Sequence, residues 1–110
     1  MPEIVRFNVD HHQLRLVVGI MDGYLSEQPS GELHNFMHSI IAQQVLALKR
    51  KLLLQRLQYR LSMPVHFALA FRRMVLVAQE VLLNEQSRLE MLLLIQELDP
   101  ITNRYTHVHQ

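Results

Sequence analysis

Apolar and polar positions first alternate with a period of two. In Ile4-Val5-Arg6-Phe7-Asn8-Val9, the apolar Val5, Phe7 and Val9 oppose Arg6 and Asn8, which is the pattern of a short extended segment. From Asp10 onward the spacing becomes helical. Asp10 stands as an N-cap with Gln13 at the capping-box position, so a first helix is predicted over 11–25. Gly19 and Gly23 weaken it by roughly 1 kcal/mol each relative to Ala, unless they permit close helix packing. Ser26-Glu27-Gln28-Pro29-Ser30-Gly31 is the clearest loop, with Ser30 as the cap of the next helix and Glu32 in its first turn.

A second helix is predicted over 31–61. Sorted by sevens, Leu33, Ile40, Ala47, Leu54 and Leu61 form one column, and His38, Val45, Leu52 and Tyr59 another. Apolar residues on two flanks describe a helix sandwiched between neighbours. Ser62 is read as the cap of a third helix over 63–98, with Pro64 in its first turn and Pro100 as its stop. Its main stripe runs through Phe67, Phe71, Met74, Val75, Ala78, Val81, Leu82, Leu89, Leu92 and Ile95. Leu69, Leu76 and Leu83 form a separate line, spaced by seven inside the polar face, and are the candidate self-association seam. The tail 101–110 has strand-like composition and is either a loose terminus or a partner for 4–9. No internal repeat is evident.

The expected fold is all-α, a three-helix up-down-up arrangement in one domain over 1–110. It comprises an extended segment (1–9), a helical body (11–98) and a tail (100–110). The second and third helices form a long antiparallel hairpin joined at Ser62-Met63-Pro64, each about 45–50 Å long at 1.5 Å per residue. The first helix is about half that length and cannot cover them. Homodimerisation into a larger bundle is the expected completion.

Composition narrows the class. At 110 residues with 49% hydrophobic content, the chain supports one core and argues against disorder. It contains no cysteine, which excludes disulfides, a thiolate nucleophile and thiolate metal ligands. Residues 1–6 lack a signal-peptide layout, and no window reaches the roughly 18 uninterrupted apolar residues of a membrane span. A soluble cytoplasmic protein without a membrane partner is expected.

The net charge of +1 hides an uneven distribution. No acid lies between Glu32 and Glu80, whereas Lys49, Arg50, Lys51, Arg56, Arg60, Arg72 and Arg73 all do. In the hairpin they gather at one end, as candidates for an acidic protein partner or for nucleic-acid phosphates. They occupy several azimuths, and no helix-turn-helix or zinc-finger spacing accompanies them.

Catalytic chemistry finds little footing. His34 and His38, four apart on a helix, are candidate metal ligands that His107 and His109 could supplement, but no carboxylate belongs to the motif. His11 and His12 are adjacent and face different directions. Ser30, Ser39, Ser62 and Ser87 lack a readable histidine-carboxylate context. No E-x-x-H pattern, phosphate loop or dinucleotide fingerprint occurs. The sequence therefore points to a non-enzymatic intracellular protein without a cofactor, acting as an adaptor, chaperone or regulator through protein association. The alternatives are nucleic-acid binding through 49–73 and metal binding through His34 and His38.

Overall fold

The computed structural model describes residues 3–27 and 31–106, and the side chains of all of these except 32–34 and 101–106. Its elements are β1 (Ile4–Asp10), α1 (His11–Ser26), α2 (Gly31–Leu52), β2 (Gln58–Pro64), α3 (Val65–Val81) and α4 (Glu85–Thr106). The molecule is mostly helical, but it is not a three-helix hairpin. Among the described residues, four helices accompany a two-stranded antiparallel sheet.

The first correction concerns 58–64. Tyr59, Leu61 and Met63 alternate with Gln58, Arg60 and Ser62, so this short run fits a strand as well as a helix column. The apolar side of β1 decides between them, because an extended segment needs a backbone partner. β2 supplies it, pairing Val5 with Met63, Phe7 with Leu61 and Val9 with Tyr59. The described partner of 4–9 is thus β2; residues 101–106 of the tail continue α4, and 107–110 lie outside the described residues. Ser62 is a strand residue, and the N-cap of α3 is Pro64, which makes no side-chain capping bond.

The second correction is a break in the expected third helix. α3 ends at Val81, and Asn84 caps α4 by accepting the Ser87 N–H on Oδ1 at 3.0 Å. Asn followed by Glu is an N-terminal signature that the apolar periodicity on either side conceals. α4 also runs through Pro100 instead of stopping there. At the other end of the chain, Asp10 and Gln13 form the expected capping box.

The elements repeat. Ile4 and Gln58, His11 and Val65, and Gly31 and Glu85 begin matching elements, and each pair stands 54 residues apart. The chain is therefore two strand-helix-helix halves. Phe7 pairs with Leu61, its own counterpart, so the approximate two-fold axis relating the halves crosses the sheet there. Buried positions correspond as well: Val5 with Tyr59, Val17 with Phe71, Met21 with Val75, and Ile40 with Leu94. Identities are few, among them Arg6/Arg60, His12/His66, Met37/Met91 and Ile41/Ile95. Only the burial pattern repeats strongly, which is why the sequence alone does not reveal the duplication.

The core lies beneath the sheet. The inner sides of β1 and β2 rest on α1 and α3, with the rings of Phe7 and Phe71 5.3 Å apart between centroids. α2 and α4 flank this pair through Ile40, Ile41 and Leu48 on one side and Met91, Leu94 and Leu98 on the other. Gln44 is the buried polar side chain among the described residues. Gly19 and Gly23 do not serve close packing, because a Cβ at either would meet nothing within 4 Å.

Candidate nucleic-acid interface

Only the inner side of the sheet is covered. Its outer side carries Ile4, Arg6 and Asn8 on β1 and Gln58, Arg60 and Ser62 on β2, all exposed. Arg6 stands across from Ser62, and Asn8 across from Arg60. The Arg60 guanidinium donates from Nη1 to Asn8 Oδ1 at 3.3 Å.

Paired strands lie about 4.8 Å apart, and alternate residues along a strand recur about every 6.6 Å. Two base-pair rises of duplex DNA, at about 3.4 Å each, nearly match that repeat. The major groove, about 12 Å wide, admits a two-stranded ribbon. The side chains on the outer face suit base edges: Arg pairs with guanine O6 and N7, Asn and Gln with adenine N6 and N7, and Ser with several partners.

One end of the ribbon is fixed by hydrogen bonds. The Leu57 carbonyl accepts the His11 N–H at 3.0 Å, and the Tyr59 hydroxyl accepts the Arg56 N–H at 3.2 Å. The same hydroxyl lies 2.8 Å from His11 Nδ1. Gln55, with φ of 52°, turns the chain out of α2 in the left-handed region that Asn or Gly adopts more cheaply. The resulting loop leaves Leu53 80% and Leu57 90% exposed beside Arg56.

The seven cations do not form one patch. Lys49, Arg50 and Lys51 lie in the last turn of α2, where they also complement the helix dipole. Lys49 pairs with Asp22 at 2.9 Å. Arg56 lies in the loop and Arg60 on the ribbon. Arg72 is engaged by Asp99 at 3.0 Å, and Arg73 borders a cleft between α1, α2 and α3.

The leucine seam is also dispersed. Leu69 lines that cleft and Leu76 is half-buried on α3, whereas Leu83 lies beyond the end of α3 and is 94% exposed. α4 instead presents a different apolar line. Met91, Leu94 and Leu98 enter the core, while Leu89, Leu92 and Leu93 face outward.

The cleft measures about 560 Å³ and is lined by Phe36, Met37, Ile40, Leu69 and Met74, with Tyr24, His66 and Arg73 as its polar members. Burial and the charge of Glu27 raise the Tyr24 hydroxyl above its ordinary pKa, opposed by Arg73. Tyr24 is thus a neutral hydroxyl at physiological pH.

His38 Nε2 lies 3.2 Å from the Leu25 carbonyl, and its ring lies 6.1 Å from that of Tyr24. The side chain of His34 lies outside the described residues, as do His107 and His109. No group of three His, Cys, Asp or Glu among the described residues is arranged to hold a metal ion. None of the described helices is long and apolar enough to cross a membrane.

The chain matches no protein-family model, no curated protein and no solved structure. Arg6 and Asn8 were legible as one side of a strand. Their candidacy depends on β2, which the helical columns of 31–61 concealed.

Proposed function

We propose that the protein binds double-stranded DNA without catalysing a reaction, laying the β1–β2 ribbon in the major groove. The carrying observation is the uncovered outer face, on which Arg6, Asn8, Gln58, Arg60 and Ser62 stand on a two-stranded ribbon, with α4 beside its Asn8 and Gln58 end. A sheet facing only water is polar outside as well. What favours DNA is the chemistry of the set, two arginines and an amide on each strand; at one end Asp10 and Glu97 border Asn8 and Gln58, and Asp10 is engaged as the cap of α1. Arg50, Lys51 and Arg56, near the start of β2, supply attraction to phosphate. Compared with the reading from sequence, this moves the interface from 49–73 as a whole to the ribbon and its nearest cations.

A mobility shift on mixed duplex DNA at about 50 mM salt tests the proposal. A shift is expected from the native protein and should be lost in Arg6→Glu/Arg60→Glu. Duplex RNA should shift less, because its major groove is too narrow for side chains to read. The absence of any shift with DNA overturns the proposal.

A second reading, self-association, is favoured by α4. A helix with apolar residues on opposite faces has buried only one of them within the chain. A second copy covering Leu89, Leu92 and Leu93 would bury the other, and would give a DNA-binding protein two ribbons. This keeps the expectation of a homodimer but moves its surface from Leu69, Leu76 and Leu83 to α4.

A further inference from the structure

We infer that the DNA target is two-fold symmetric at its centre and asymmetric on its flanks. The inference rests on the ribbon reading. The approximate axis crosses the ribbon at Phe7 and Leu61, and it exchanges Arg6 with Arg60, Asn8 with Ser62, and Ile4 with Gln58. The first of these pairs is identical and the other two are not.

The register turns that difference into a pattern of bases. On one side of the axis the row is Arg6 and Ser62; on the other it is Arg60 and Asn8. Each arginine can reach one guanine through O6 and N7, and the axis places these guanines on opposite strands. Asn8 can hold an adenine through N6 and N7, whereas Ser62 has one hydroxyl and accepts several partners. At the outer positions Gln58 repeats the adenine preference, while Ile4 offers apolar contact of the kind a thymine methyl takes. One chain therefore reads the two arms differently, which two identical chains joined by an exact two-fold could not do. The site has a defined orientation, and the protein binds it in one direction.

Selection from randomised duplexes with the purified full chain tests this. The expected motif has two guanines on opposite strands, symmetric about its centre, with an adenine preference beside only one of them. Arg6→Ala and Arg60→Ala should each relax one guanine, lowering discrimination there roughly ten- to hundredfold. Ser62→Asn should add the missing adenine preference and make the motif more symmetric. All three positions are exposed, so an unchanged helical circular-dichroism signal and melting temperature establish that the variants fold. If duplex DNA is bound but the motif lacks the paired guanines, or Ser62→Asn leaves the flanks unchanged, this inference fails and the ribbon reading stands. If no duplex is bound, the ribbon reading fails and takes this inference with it.

Discussion

Counterpart positions in the two halves of the chain carry different chemistry. On α4 the outward positions are Leu89, Leu92 and Leu93; the counterparts on α2 are Asn35, His38 and Ser39. Inside the core, Gln44 of α2 occupies the place of Leu98 on α4, and both are buried. On α1, Gly19 and Gly23 stand where α3 has Arg73 and Val77, both of which line the cleft. The strands, by contrast, share one alternation of exposed and buried positions, with polar residues predominating outside in both. One architecture thus tolerates either chemistry on its outer helix faces. The apolar face of α4 is a property of that half and not a requirement of the fold.

Giving α4 the residues of α2 should have the largest effect. Each leucine contributes about 1.5–3 kcal/mol when fully buried, so Leu89→Asn/Leu92→His/Leu93→Ser should weaken self-association by several orders of magnitude. Light scattering at tens of micromolar should change from the mass of a dimer to that of a monomer, with helicity retained. A native protein that is already monomeric breaks the argument. A variant that remains dimeric moves the interface elsewhere, with the cleft bordered by Leu69 and Arg73 as the next surface to change.

The axis itself can be broken at Phe71. Its ring is fully buried against Phe7, and its counterpart Val17 is smaller. Phe71→Ala should cost about 3–5 kcal/mol, read from urea denaturation. A cost below about 1 kcal/mol would mean that the sheet and α3 do not share a packed core.

Much of this was legible from sequence, and the reasons for the misses are local. β1, α1 and the capping box followed from an alternation that ends at a capping residue. β2 was hidden because Tyr59 and Leu61 end helical columns and also alternate with a period of two. Pairing with β1, 54 residues away, decides between them, and no local window contains it. The break before α4 was hidden because Val81, Leu82 and Leu83 continue the apolar run up to the Asn84 cap. The surplus of apolar surface was legible as a quantity, but its location was not. Moving the helix boundary put Leu83 in a turn and turned Leu89, Leu92 and Leu93 outward.

The polar residue in the core gives a smaller effect of opposite sign. Gln44 Nε2 donates to the Phe67 carbonyl at a long 3.4 Å and to Met63 Sδ, a weak acceptor, at 3.2 Å, and Oε1 has no hydrogen-bond partner. An unpaired buried acceptor costs about 1–3 kcal/mol, more than such contacts return. Gln44→Leu, which copies Leu98, should stabilise the protein by about 1 kcal/mol and raise its melting temperature by about 4 °C. Destabilisation would mean that the amide holds α2 against α3 more firmly than its distances indicate.

The smallest expected effect is at Gly23. A glycine inside a helix costs about 0.5–1 kcal/mol relative to alanine, because the unfolded chain gives up more freedom. That cost is usually retained where a side chain would collide, but a Cβ at Gly23 would meet nothing within 4 Å. Its position in the last turn of α1 is exposed, and its carbonyl already accepts the Ser26 hydroxyl at 2.7 Å, a bond that alanine leaves intact. Gly23→Ala should therefore stabilise the isolated protein by about 0.5–1 kcal/mol in thermal denaturation, and Gly19→Ala should do the same. Valine occupies the counterpart position 77 inside a helix, so the architecture admits a side chain there. A loss of stability in dilute solution would show that α1 is strained in a way its open surroundings do not reveal. A gain in dilute solution accompanied by weaker self-association would place a second copy against this face of α1, and would shift the dimer surface away from α4.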